Sequence, residues 1–121
     1  MTLSSLPFHL VIFQSTEPVT RSGAFFSATV TPTECSYIME AHLVPAQAAR
    51  VSGGWRALMV HGPLPFSLTG ILAAVAQPLA QAHIPIFALS TFDTDYVLVK
   101  EEALASAIAV LREAGHEVIA A

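Results

Sequence analysis

The chain has 121 residues, 54% of them hydrophobic and 12% charged, with a net charge of −4. That length suits one domain or one domain with a partial second unit. Five lysines and arginines give no means of neutralising a phosphate backbone, so nucleic acid is excluded as a partner. Cys35 is the sole cysteine, which rules out a disulfide framework or a cysteine-pair metal site and fits a reducing, cytoplasmic setting.

Phe8 to Phe13 is a continuous apolar run and predicts a buried strand. Ser15 to Gly23 reads as loop. Ala24 to Val30 is strand-like, Thr31-Pro32-Thr33 is a turn signal, and Ser36 to Glu40 resumes as a strand. Residues 1–50 are therefore expected to form a mostly β unit of three strands. Pro45 to Gly54, ending in Ser52-Gly53-Gly54, reads as its connector to a unit over residues 51–121.

Trp55 to Val60 predicts a strand stopped by His61-Gly62-Pro63. Ser67 is placed to cap a helix whose apolar stripe is Leu68, Ile71, Leu72, Val75 and Leu79, with Pro78 expected to kink it and His83 to end it. Ile84 to Ser90 and Tyr96 to Val99 predict two strands joined tightly through Thr91 to Thr94. Glu101 and Glu102 open a second helix with stripe Leu104, Ile108 and Leu111, which Gly115 ends, and Glu117 to Ala120 closes as a strand. The order β-α-β-β-α-β defines an α+β, ferredoxin-like four-stranded sheet with both helices on one face. Its other face must be wet, covered by another sheet or paired in an oligomer; the N-terminal strands meet that need only in part, so a dimer of such one-and-a-half-unit chains is expected.

The stretch from Ala57 to Phe92 is interrupted by prolines and histidines, so no membrane-spanning helix is expected, and the N-terminus lacks the basic region of a secretory signal. The apolar composition points instead to an oligomer.

Two segments concentrate unusual residues. His61-Gly62-Pro63-Leu64-Pro65-Phe66-Ser67 leads from a strand into a helix N-terminus, where free amides and the helix dipole favour a carboxylate or phosphate. A rigid turn without a ligand explains the same residues. Ser90 to Tyr96 carries Asp93 and Asp95, which can face an ammonium or guanidinium group. Asp93 is also a natural turn residue, whereas Asp95 stands at the start of a strand, where aspartate is disfavoured. An anion site facing a cation site suits a zwitterion, provided the two segments meet in space.

Enzymatic readings are weaker. His61, Ser67 and Asp93 form a nucleophilic triad on paper, but no Gly-x-Ser-x-Gly elbow is present. His9, His42, His61, His83 and His116 have no metal-ligand spacing, so neither a metal nor another cofactor is expected.

The run from Gly54 to Lys100 resembles the ACT-domain proteins, in the branch related to CASTOR arginine sensors and aspartokinase regulatory domains. The likeness rests on Gly54-Trp55-Arg56, Gly62-Pro63-Leu64, Phe66 to Leu72, the STFDTDY segment at 90–96 and Gly115-His116-Glu117-Val118. Thr31 to Ser36 is similar to the turn of that branch's truncated first unit. The resemblance implies a non-enzymatic regulatory module that binds a small effector, usually an amino acid, near the first strand-to-helix loop. It carries ligand contacts to Gly62, Pro63, Leu64, Phe66 and Ser67, a cation-binding role to Asp95, and pocket-lining roles to Thr91, Phe92 and Thr94. The animal sensors carry several units on one chain, whereas this one has about one and a half. A homodimer is therefore expected, with a structural or protein-interaction module lacking a ligand as the alternative, its protein partner unidentified.

Overall fold

The computed structural model describes residues 1–121. In chain order the elements are β1 (Thr2–Ser5), β2 (Leu10–Gln14), β3 (Phe26–Val30), β4 (Cys35–Glu40), β5 (Ala49–Val60), α1 (Ile71–Gln81), β6 (Phe87–Ser90), β7 (Asp95–Lys100), α2 (Leu104–Glu113) and β8 (Glu117–Ile119). A single 3-10 turn follows β4 at Ala41–Leu43 and another follows β7 at Glu101–Ala103. Two compact units result. The larger comprises Met1–Pro7 with Arg56–Ala121, and the smaller Phe8–Trp55.

The larger unit has the β-α-β-β-α-β order expected of a ferredoxin-like α+β sheet, with one addition. β1 pairs antiparallel with β5 (Leu3 opposite Val60) and parallel with β8 (Leu3 opposite Val118), so it lies between the first and last strands of the motif. β7 pairs with β5 and, antiparallel, with β6. The sheet is thus five-stranded rather than four-stranded. Period-2 alternation points Leu3, Leu58, Val60, Val97, Val99 and Val118 at the helices, which answer with Val75 and Leu79 from α1 and Ala107 and Leu111 from α2. Burying each leucine or valine there contributes roughly 1.5–3 kcal/mol.

Both helices end as read: His83 (φ 58°) follows α1 and Gly115 (φ 96°) follows α2, each in the left-handed region, and the next amides reach back to Leu79 O (2.9 Å) and Leu111 O (3.0 Å). The start of α1 differs. Ser67 does not cap it; Leu68 N–H donates to Pro65 O (3.1 Å) in a separate turn, and the chain passes through Gly70 at φ 76° before the helix begins at Ile71. Glycine suits that conformation because a Cβ would crowd the following carbonyl. Leu68 and Leu72, read as core, are exposed in consequence. The second helix likewise starts later than read, with Glu101 and Glu102 in the preceding 3-10 turn.

Pro78 removes the N–H that would bond Ala74 O within α1. His116 Nε2 donates to that carbonyl instead (3.1 Å). A carbonyl can only accept, so this ring nitrogen carries the proton.

In the smaller unit β4 is central, antiparallel to both β2 and β3. Val11, Phe13, Tyr37 and Met39 form its core, with Phe13 and Tyr37 stacked at 5.6 Å between ring centroids. The segment read as a connector is largely strand, since residues 49–54 belong to β5 and pair with β2. Leu10 opposes Trp55 and Ile12 opposes Ser52, so Gly53 and Gly54 together face Val11 in a bulge, which disguised the strand as a loop.

Candidate functional site

A cleft of about 260 Å³ opens in the larger unit between the loop that precedes α1 and the turn joining β6 to β7. Leu64, Pro65, Phe66, Leu68 and Ile71 line one wall, and Ser90 to Asp95 line the other. The two segments singled out from the sequence therefore meet within a single unit.

Backbone bonds hold the walls together. Leu64 N–H donates to Asp93 O at 2.6 Å. Gly62 sits directly beneath this link: a Cβ there would stand 2.8 Å from Asp93 O, 3.1 Å from Leu64 N and 3.2 Å from Thr94 Cβ. Any side chain would push the loops apart, so Gly62 serves the close approach of two backbones. The Gly62–Pro63 peptide is cis.

The β6–β7 turn is closed by threonines. Thr91 N–H donates to Thr94 O (2.8 Å), the Thr91 hydroxyl reaches the same carbonyl (3.2 Å), and Thr94 N–H donates to Thr91 Oγ1 (3.4 Å). The Thr94 side chain is buried and its hydroxyl donates to Val60 O (2.5 Å), tying the turn to the end of β5. Asp95, half-buried, accepts from Ser90 Oγ on Oδ1 (2.5 Å), leaving Oδ2 for another donor. Asp93 is exposed on the same wall.

On the opposite wall, α1 begins without a side-chain cap, and Ala74 N–H is the first amide taken up, by Gly70 O at 2.9 Å. No side chain takes up the amides of this first turn, and Ile71 lines the cleft, an arrangement that favours an anion. At the mouth, Phe66 and Phe92 meet edge to face with ring centroids 4.9 Å apart. Their exposures are 76% and 79%.

Of the residues assigned from the sequence, Leu64, Phe66, Thr91, Phe92, Thr94 and Asp95 line this cleft. Gly62, Pro63 and Ser67 do not line it. Pro65, Leu68, Ile71, Ser90 and Asp93 do, and were not assigned. A helix start placed at Ile71 would have put Leu68 in the loop before α1 and Ile71 at the helix's first position, both in the wall beside the cleft. His61 is engaged elsewhere, its Nε2 2.5 Å from Ser4 Oγ. No three His, Cys, Asp or Glu side chains converge on a common point for a metal ion.

A ferredoxin-like unit hosts many functions, so the fold alone assigns none to the cleft between its first strand-to-helix loop and its central hairpin. The family model for the ACT domain matches residues 50–113, and the chain belongs to that family. It is 35% identical over 102 residues to the bovine (Bos taurus) protein named cytosolic arginine sensor for mTORC1 subunit 1, covering 78% of this chain and 31% of that one. The human (Homo sapiens) counterpart is 34% identical over 105 residues, covering 81% and 32%. The chain thus spans about a third of the length of these curated relatives. Among solved structures, protein Atu0741 of Agobacterium tumefaciens superposes with a TM-score of 0.89 at 33% identity over 99% of this chain and 92% of that one. The regulatory subunit of aspartate kinase from Thermus thermophilus shares the fold, with a TM-score of 0.65 at 11% identity over 93% and 95%.

Proposed function

We propose that the chain is a non-catalytic regulatory module that binds an amino acid in the cleft between residues 64–71 and 90–95. One observation carries this reading: Ile71, the first residue of the uncapped α1, and Asp95 line one space of about 260 Å³. That is just below the range of about 300–1,000 Å³ for small-molecule pockets, a size for a single metabolite rather than a dinucleotide. The amides at the start of α1 take the carboxylate, without the Ser67 contact that the resemblance implied. Asp95 takes a cationic group through Oδ2. The arginine sensors among the relatives support an amino acid with a basic side chain as the ligand.

The module acts as a homodimer in the cytoplasm. Phe66, Leu68, Leu72 and Phe92 leave an apolar rim beside the cleft, and such a rim favours coverage by protein. The same rim favours the second reading, an interaction module without a ligand. The named relatives are cytosolic, and no helix is long and apolar enough to cross a membrane.

Thermal denaturation against the twenty amino acids at millimolar concentration separates the two readings. Ligand at about 100 times its dissociation constant raises stability by about 2.7 kcal/mol. The expected result is a shift with a basic amino acid that Asp95→Ala removes. A flat panel overturns amino-acid binding, and equal shifts in wild type and Asp95→Ala overturn the role of Asp95.

A further inference from the structure

The hairpin that forms one wall of the cleft is present a second time in the smaller unit. β3 and β4 pair Val30 with Cys35, Thr29 with Ser36, Ala28 with Tyr37 and Ser27 with Ile38. β6 and β7 repeat this register at one constant offset, Ser90 with Asp95, Leu89 with Tyr96, Ala88 with Val97 and Phe87 with Leu98. The burial of the central strand is the same in both, and each is followed by a 3-10 turn.

The turns match in their bonds as well. Thr31 N–H donates to Glu34 O at 2.8 Å, and Glu34 N–H donates to Thr31 Oγ1 at 3.1 Å. Thr91 and Thr94 make the same two contacts in the larger unit.

The likeness extends to a cavity. A cleft of about 330 Å³ lies between this turn and the end of β2, lined by Gln14, Ser15 and Thr16 on one side and residues 31–35 on the other. Ser15 N–H donates to Cys35 O (3.2 Å), joining the walls as Leu64 and Asp93 do in the larger unit.

The chemistry of the two clefts differs in one respect. No α-helix stands between β2 and β3, so this cleft has no helix N-terminus to hold an anion. The Ser15 hydroxyl is closed on Glu17, donating to its carbonyl (2.8 Å) and accepting its amide (3.2 Å). Glu34 is the single charged group in the lining and accepts a hydrogen bond from Ser36 Oγ. It stands where the larger unit has Thr94, while Cys35 occupies the place of Asp95. With a carboxylate, the Gln14 amide and threonine hydroxyls around it, the cleft suits a donor of positive charge.

We infer that this cleft is a second small-molecule site, for a monocationic amine or guanidine that lacks a carboxylate, with Glu34 as the counter-ion. The comparison of the two clefts rests on the reading of the first as a ligand site.

Cys35 supplies the test, because it is the only cysteine and lines the second cleft but not the first. Its alkylation by iodoacetamide, a neutral reagent, is followed by mass spectrometry with butylamine or butylguanidine, at ionic strength matched by sodium chloride, and with butyrate as anionic control. Alkylation of Cys35 is expected to slow about tenfold with the cation at about ten times its dissociation constant, following the ratio of free to occupied site. Butyrate is expected to leave the rate unchanged. Glu34→Gln, an exposed substitution of nearly equal volume, is expected to abolish protection, and Asp95→Ala to preserve it. Absence of protection in the wild type, protection that survives Glu34→Gln, or protection lost in Asp95→Ala would each overturn the second site. Protection of Cys35 alongside a flat amino-acid panel would sink only the reading of the first cleft.

Discussion

Replacing Gly62 by alanine tests whether the cleft depends on two backbones in near contact. The added Cβ would lie 2.8 Å from Asp93 O, closer than side-chain carbons approach a carbonyl, and 3.2 Å from Thr94 Cβ. Neither neighbour is the free end of a flexible side chain. Asp93 O is already bonded to Leu64 N at 2.6 Å, and Thr94 is fixed by its hydroxyl to Val60 O. The loops must therefore separate. Overpacking of this kind costs about 1–3 kcal/mol, and losing the Leu64–Asp93 bond about 0.5–1.5 kcal/mol more. A loss of about 1.5–4.5 kcal/mol is expected, which lowers Tm by roughly 6–18 °C for a domain of this size. Urea denaturation gives the free energy, and hydrogen exchange at Leu64 N–H reports the link itself. A Gly62→Ala variant within about 0.5 kcal/mol of wild type, with Leu64 protection intact, would refute the close-approach argument. Gly70→Ala is the contrast: nothing lies within 4 Å of its Cβ, but φ is 76°. Its loss should stay at about 1–2 kcal/mol, from backbone strain alone.

Thr94→Val keeps the shape of the side chain but removes the hydroxyl donor to Val60 O, leaving a buried carbonyl unpaired. A loss of about 1–3 kcal/mol in chemical denaturation is expected, and no measurable loss would show that water replaces the bond. Pro78→Ala restores the helical amide for Ala74 O and makes the His116 bond redundant, so Pro78→Ala and His116→Ala should be non-additive by about 0.5–1.5 kcal/mol in a double-mutant cycle. Strict additivity would mean that His116 does not compensate for the proline. Leu111→Ala removes a fully buried side chain between α2 and the sheet and should cost about 2–5 kcal/mol by the same assay, a smaller loss indicating that the core collapses into the space.

The parts of the fold legible in the sequence are those with strong periodicity and clear terminators. Val75 and Leu79, or Leu104, Ile108 and Leu111, recur at helical spacing because that face must be buried, and His83 and Gly115 sit where left-handed backbone is required. β1 escaped because only Leu3 in it is a large apolar residue; its place is set by open edges on β5 and β8 rather than by its own composition. The start of α1 was misplaced because Ser67 and Leu68 satisfy the cap-and-stripe pattern, while the left-handed glycine three residues on ends the preceding turn. At the site, the meeting of the two loops was legible as complementary charge preference. The division of labour was not, because Gly62 and Thr94 act through contacts made only in three dimensions: one carbonyl approached too closely for a Cβ, and one strand end that needs a hydroxyl.

These contacts make the two walls of the cleft unequal. The wall carrying Asp95 is held by the Thr91–Thr94 turn, by Thr94 on Val60 O and by Ser90 on the carboxylate itself. It meets a ligand already ordered, which reduces the entropy lost on binding. The opposite wall, over residues 65–70, has one internal backbone bond, Leu68 N–H to Pro65 O, and its largest side chain lies outside the core. Ordering this segment must therefore come from the ligand, or from whatever covers Phe66 and Leu68. In the proposed dimer both events draw on the same segment: a subunit that buries Phe66 has ordered the chain that leads into α1, whose first amides hold the ligand's carboxylate. Coupling free energy is reciprocal, so occupancy must favour association to the same extent that association favours occupancy.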